Sequence, residues 1–227
     1  MRIRMGMNGL GLAVLSMTLM FSLPSHTEAA TYKSSIQSVV DGDTVHLNKE
    51  VLGSTKVRLL SIDAPETNYQ GKSQGKYGEE AKKELKKLLP EGTSVTVETD
   101  KTEKDQYGRI LAHINTDKLD VNEEMVRRGL AVTYYIAPNM GDFTEYRSAL
   151  LEAKKDGSGM WKSENPEMPF EFRLRVGDRE PDKYVGDYKT KKYVDPADYK
   201  KVPIEQRVFF LTKSDAEKAG YASVNGD

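Results

Sequence analysis

Residues 35–67 read SIQSVVDGDTVHLNKEVLGSTKVRLLSIDAPET, and this stretch decides the fold. Ile36, Val39 and Val40 precede Asp41-Gly42, and Thr44, Val45 and Leu47 follow it. Asp-Gly between β-branched runs is a strong short-range hairpin signal, so strands are predicted over 36–40 and 43–47. A third strand is predicted over 56–62, rich in Val, Leu and Ile. It must leave its sheet at Asp63-Ala64-Pro65-Glu66, because Pro65 has no N–H to give a ladder.

Working outward, a polar loop over 68–76 leads to a helix predicted over 78–89. There Ala81, Leu85, Leu88 and Leu89 recur at helical spacing, while Lys82, Lys83, Lys86 and Lys87 fill the other face. Pro90 and Gly92 stop it. Two more strands are predicted over 94–99 and 109–114. A second helix opens at Asp120, with Glu123 three residues on, and a third at Asp142, with Glu145 in the same relation. Five short strands carrying three helices define an α+β class domain, and among small closed sheets a five-stranded OB-fold β-barrel is expected.

The composition shifts near residue 165. Pro166, Pro169, Pro181 and Pro196 punctuate a charged, tyrosine-rich stretch, and a strand over 207–211 and a helix capped by Ser214 and Glu217 close the chain. The predicted organisation is a barrel domain over 30–164 and, over 165–227, a small C-terminal module or partly disordered appendage.

The beginning of the chain has a different character. Arg2 and Arg4 precede an uncharged run from Met7 to Leu23, and small residues follow at Thr27, Ala29 and Ala30. This is the pattern of a secretory signal peptide, with cleavage expected after Ala29 or Ala30. No second apolar run suggests a membrane span. The sequence holds no cysteine, which excludes thiolate catalysis, cysteine-bound zinc and disulfides, and leaves packing and a metal to stabilise an exported chain. Removing two arginines and one glutamate from 34 basic and 35 acidic residues leaves 32 and 34. Composition by itself therefore gives no sign of a nucleic-acid partner, and cations that meet phosphate must be placed locally.

Chemistry concentrates at strand ends. Asp43 follows the first turn and Asp63 ends the third strand, so adjacent strands can bring both to one point. Carboxylates paired in this way repel unless a cation lies between them, and hard cations prefer oxygen. A shell with few protein ligands suits weak extracellular calcium sites and leaves room for a phosphate and a water. Glu66 is the candidate general base for that water. Arg58, in the same strand as Asp63, and Arg109, behind Tyr107-Gly108, are guanidinium forks suited to phosphoryl oxygens. Singly, each piece is ordinary: a turn, a strand exit, a surface arginine. Only their conjunction points to catalysis.

From Ile36 to Trp161 the sequence resembles the staphylococcal (micrococcal) nuclease, or thermonuclease, family. The matching strings are VDGDTV at 40–45, VRLLSIDAPET at 57–67, KYGEEA at 76–81, DQYGRILA at 105–112 and VNEEMVRRGLA at 121–131. The resemblance implies calcium-dependent hydrolysis of DNA and RNA to 3′-phosphate ends. It implies calcium ligation by Asp43, Asp63 and the backbone carbonyl of Ala64, a general base at Glu66, and phosphate binding by Arg58 and Arg109. It further implies substrate contacts by Tyr107 and by Tyr134 or Tyr135. Two departures stand out: Ala64 replaces a frequent threonine, and Gln106 stands where a phosphate-contacting lysine is often found. The tail faintly resembles small zinc-binding modules, but their cysteines are absent, which argues against zinc. The expected protein is a secreted monomer, free or associated with the cell wall. The competing reading is a non-catalytic nucleic-acid or protein binding module on the same barrel.

Overall fold

The structure is a computed structural model that describes residues 29–226. The predicted signal peptide lies almost wholly outside the described residues. Strands β1 (Thr31–Val39), β2 (Thr44–Val51), β3 (Ser54–Leu59), β5 (Ser94–Lys104) and β6 (Ile110–Asn115) close into a barrel in the order β1-β2-β3-β6-β5. All neighbours are antiparallel except β3 and β6, where Arg58 lies opposite Leu111. The five-stranded barrel expected from the sequence is therefore present. Its interior is filled by alternate residues of the strands, among them Ile36, Val45, Leu47, Val57, Leu59, Val97, Ile110 and Ile114.

The first turn closes with Val40 N–H on the Thr44 carbonyl and Asp43 N–H on the Asp41 carboxylate, both near 3 Å. A second hairpin, between β2 and β3, turns at Leu52 and Gly53, both with positive φ. This is the pattern of a primed two-residue turn, whose twist matches that of the flanking strands. After β3 the chain swings through Ser61, itself at φ 65°, into the short β4 (Ile62–Asp63), which pairs with β7 (Val132–Thr133).

Three helices flank the barrel: α1 (Lys76–Leu88), α2 (Val121–Arg127) and α3 (Phe143–Lys155). Asp120 caps α2 as expected, its side chain accepting from Glu123 N–H at 3.1 Å. Asp142 does not cap α3 with its side chain; it sits in the left-handed region at φ 55°. Asn122 on α2 is fully buried and clips the open end of the β3–β6 seam. Its amide donates to the carbonyls of Leu60 (3.0 Å) and Ala112 (3.2 Å) and accepts from Ile114 N–H (3.1 Å).

The stretch after residue 165 is folded onto the barrel half rather than set apart from it. It contains α4 (Pro169–Val176), β9 (Tyr184–Asp187), β10 (Lys192–Val194), β11 (Arg207–Phe210), α5 (Lys213–Lys218) and β12 (Ala222–Ser223). These strands form a sheet in the order β12-β10-β9-β11-β8, whose edge strand β8 (Tyr135–Ile136) comes from before α3. Tyr193, Val208, Phe210 and Tyr221 join the main core, and Val132 and Met160 join a second apolar cluster with Phe170, Val185 and Phe209. The predicted cap at Ser214 is displaced by two residues. Thr212 caps α5, accepting from Asp215 N–H at 3.1 Å, and the Asp215 carboxylate accepts from Thr212 N–H in return. Among the described residues no helix is long and apolar enough to cross a membrane.

Candidate active site

The site forms at the barrel rim, where β2, β3 and β4 bring acidic side chains together. Thr44 is the cross-strand partner of Arg58, so Asp43 lies beside that arginine. The turn at Ser61 then folds Asp63 back toward the same point. Arg58 Nη2 lies 3.1 Å from Asp43 Oδ2 and 3.0 Å from Asp63 Oδ1, bridging the two carboxylates. Its other terminal nitrogen donates to the Ile62 carbonyl at 2.8 Å, which fixes the fork. Asp43 Oδ2 also accepts from Ala64 N–H at 2.8 Å. Asp63 is fully buried and Asp43 nearly so.

Small residues make this approach possible. A Cβ on Gly42 would stand 2.6 Å from the Ala64 Cβ and 2.8 Å from the Ala81 Cβ. A Cβ on Gly78 would stand 2.5 Å from the Glu66 carbonyl oxygen. Both distances are too short to tolerate, so α1 can pack against the Asp63–Glu66 loop only because these positions are glycine. Gln74 pins the same loop: its side-chain oxygen accepts from Glu66 N–H at 2.9 Å, and Gln74 N–H donates to the Glu66 carbonyl at 2.8 Å.

Glu66 points back into the cluster, half-buried. Its proton affinity is raised above the usual carboxylate range, first by burial and then by Asp63 and Asp41, with Arg173 opposing. Asp43 is pushed up to about 7, chiefly by burial and by the neighbouring Asp41 and Asp63, against the pull of Arg58. The donor set, three carboxylates at one rim, is of the kind that a hard divalent cation prefers.

Arg109 and Tyr107 occupy the β5–β6 loop. Asp105 organises them, accepting from Tyr107 N–H and Arg109 N–H at 2.9 Å and from Arg109 Nε at 2.7 Å. Arg109 is partly exposed, and its guanidinium lies 5.7 Å from the Tyr107 ring centre; Tyr107 is 74% exposed. Tyr107 faces solvent and Arg109 is held by Asp105, while Arg58 is engaged within the site.

Tyr134 and Tyr135 are separated by the alternation of side chains along an extended chain. Tyr135 is not placed to meet a substrate. It is fully buried in the barrel core, its ring 4.8 Å from that of Phe143 and its hydroxyl donating to the Asp142 carbonyl at 3.1 Å. Tyr134 turns the other way, beside the acidic cluster, between Phe170, Phe209 and the Arg173 guanidinium.

The residue that local sequence patterns missed is Arg173, on α4. Its Nη1 lies 2.8 Å from Asp63 Oδ1 and 2.7 Å from Glu66 Oε1, and its Nη2 lies 2.9 Å from Asp63 Oδ2. Burial works against its charge, but Asp63 and Glu66 outweigh it and hold the guanidinium protonated. Nothing in the string Phe-Glu-Phe-Arg-Leu-Arg over 170–175 signals a site residue. A second acidic group, His113 with Asp120 and Asp142, is mediated by Tyr146, whose hydroxyl lies 2.6 Å from both His113 Nδ1 and Asp120 Oδ2. That network joins α3 to the barrel and is spent on packing.

A closed mixed barrel bearing two buried aspartates, a glutamate and bridging guanidinium groups at its rim defines an OB-fold protein with a charged site at one end of its sheet. The staphylococcal nuclease homologue family model matches residues 56–163. Thermonuclease from Staphylococcus hyicus is 32% identical over 139 residues, which are 61% of this chain and 80% of that protein. The chain belongs to the staphylococcal nuclease family. Endonuclease YhcR of Bacillus subtilis (strain 168) is 44% identical over 200 residues, 84% of this chain but 16% of that much longer protein. Endonuclease YncB of the same organism is 35% identical over 130 residues, 56% of this chain and 60% of the relative. The chain thus spans less than two thirds of both Bacillus proteins. A match over 84% of this chain necessarily includes α4, so the likeness to YhcR extends beyond the barrel half.

Proposed function

We propose that this chain is a secreted, calcium-dependent nuclease that hydrolyses phosphodiester bonds of DNA and RNA, leaving 3′-phosphate ends. Residues 1–29 would serve as its cleaved signal peptide, and the monomer would be the acting form. The observation that carries the reading is the convergence of Asp43, Asp63 and Arg58 at one rim of the barrel, with Glu66 joined to Asp63 through the Arg173 guanidinium.

Asp43, Asp63 and the Ala64 carbonyl would hold the cation, which when bound supplies positive charge to phosphoryl oxygens and a polarised water. The chain's own groups do the rest. Glu66 accepts the proton of the attacking water, a task suited to a carboxylate whose proton affinity burial has raised. Arg109 donates to the equatorial oxygens, where charge accumulates as the fifth bond to phosphorus forms, and Arg58 does so once its hold on Asp43 and Asp63 is released. The bond to the 5′-oxygen breaks, and that oxygen leaves as a hydroxyl after taking a proton. The phosphate stays on the 3′ side.

Purified protein lacking residues 1–29, incubated with plasmid DNA or RNA, should cleave with calcium and not with a calcium chelator. Glu66→Gln should lower turnover by roughly 10²–10⁴, the usual worth of a general base. Gel retardation without cleavage would instead select the binding-module reading, and an unchanged rate in Glu66→Gln would remove Glu66 from the chemistry.

A further inference from the structure

The acidic cluster is paired with cations of the protein's own. Asp63 accepts from Arg58 and Arg173 on Oδ1 and from Arg173 on Oδ2, so both oxygens of this buried carboxylate are occupied. Glu66 accepts from the same guanidinium. Arg58 belongs to β3, a strand of the barrel itself, and is fixed by the Leu59 and Ile62 carbonyls. Arg173 comes from outside the barrel, at the end of a lever that other groups position. Glu171 accepts from Met168 N–H at 3.2 Å and from the Tyr199 hydroxyl at 2.8 Å, which seats the first turn of α4. Gln74 reaches from the catalytic loop to the Glu167 carbonyl at 3.0 Å, and Arg179 reaches the Tyr69 hydroxyl at 3.1 Å.

We propose that Arg173 is a further residue of the active site, contributed by the C-terminal segment, whose guanidinium holds the Asp63 and Glu66 carboxylates in place of the divalent cation and must withdraw when the cation binds. The inference rests on the proposed calcium-dependent reading and deepens it. A guanidinium and a divalent ion compete for the same carboxylate, because Arg58 and Arg173 already take three of the about four lone-pair sites of Asp63 and two cations crowded on one carboxylate repel each other. While Arg173 does so, Glu66 is also held by the same guanidinium. Release of Arg173 frees the ligand and the base in one movement. It also explains why the carboxylates can be buried side by side before any metal arrives: Arg58 and Arg173 offset their charge. The resulting cost is a weaker hold on calcium than the bare carboxylates would have.

The test is calorimetric titration of the chain from residue 30 with calcium chloride alone, comparing the natural protein with Arg173→Met and Arg173→Gln. Arg175→Ala serves as the control, since Arg175 lies two residues away on α4 and pairs with exposed Glu167. Both Arg173 variants should bind calcium at least about tenfold more tightly, because the ion no longer displaces charge-assisted hydrogen bonds; the control should match the natural protein. Hydrogen exchange on the natural protein provides a readout that needs no variant. Saturating calcium should slow exchange near Asp43 and Asp63 yet quicken it in α4. Equal or weaker calcium binding in the Arg173 variants, or slower exchange in α4 on adding calcium, overturns the inference. A natural protein that cleaves DNA with calcium while showing either result leaves the nuclease reading standing and removes only the role of Arg173. Absence of calcium binding in all forms overturns both.

Discussion

Replacing Asn122 by Leu tests whether the seam that delivers Asp63 to the site depends on a side chain borrowed from α2. The two residues are close in size, so the change removes hydrogen bonds with little change in volume. Three bonds are lost, at 3.0, 3.1 and 3.2 Å. The Ala112 carbonyl still accepts from Leu60 N–H at 2.9 Å, which leaves two buried groups without a partner, the Leu60 carbonyl and Ile114 N–H. Each buried group so orphaned costs about 1–3 kcal/mol, giving a loss of about 2–6 kcal/mol. For a domain of this size each kcal/mol corresponds to about 2–4 °C in Tm, so the middle of the range is a fall of about 12 °C. The assays are urea denaturation followed by far-ultraviolet circular dichroism and a parallel thermal scan. Because Leu60 lies three residues before Asp63, calcium binding should weaken as well. A loss below about 1 kcal/mol would show that water or backbone movement satisfies the seam, and the clip would then have no structural role.

Two other substitutions and a truncation probe the site and the appendage. Arg58→Lys should reduce turnover by about 10²–10³ with the fold intact, since a point charge cannot bridge Asp43 and Asp63 while holding the Ile62 carbonyl; near-natural kinetics would contradict its assigned role. Gly78→Ala drives a Cβ to 2.5 Å from the Glu66 carbonyl, so kcat should fall by about 10² through displacement of the base, measured beside an unchanged circular dichroism spectrum. Ending the chain after residue 164 uncovers Val132 and Tyr134 and strips β8 of its partner β11. The truncated protein should unfold at lower urea than the longer chain, and coincident unfolding curves would show that the barrel half is self-sufficient.

The barrel was legible in the sequence because its signals are local. Asp41-Gly42 between β-branched residues fixes the first hairpin, Pro65 ends the third strand, and the Asp120–Glu123 pair opens α2, each acting over a few residues. The same locality made Asp43, Arg58, Asp63 and Glu66 readable, since they lie within 24 positions on adjoining strands and one loop. Failures occurred where two local patterns look alike and packing chooses between them. Asp142 and Ser214 had the composition of caps, yet the chain enters α3 through a left-handed residue and α5 through Thr212. Tyr134 and Tyr135 are neighbours of one type, and only the pairing of β8 with β11 decides which faces the core. The appendage read as separate because prolines and charges break its periodicity, whereas its buried area is supplied by strands far apart in the chain. Arg173 meets Asp63 across 110 positions. No spacing rule spans that distance. The contact exists because α4 packs beside the rim, and buried carboxylates short of counter-charge take the cation that packing brings to them.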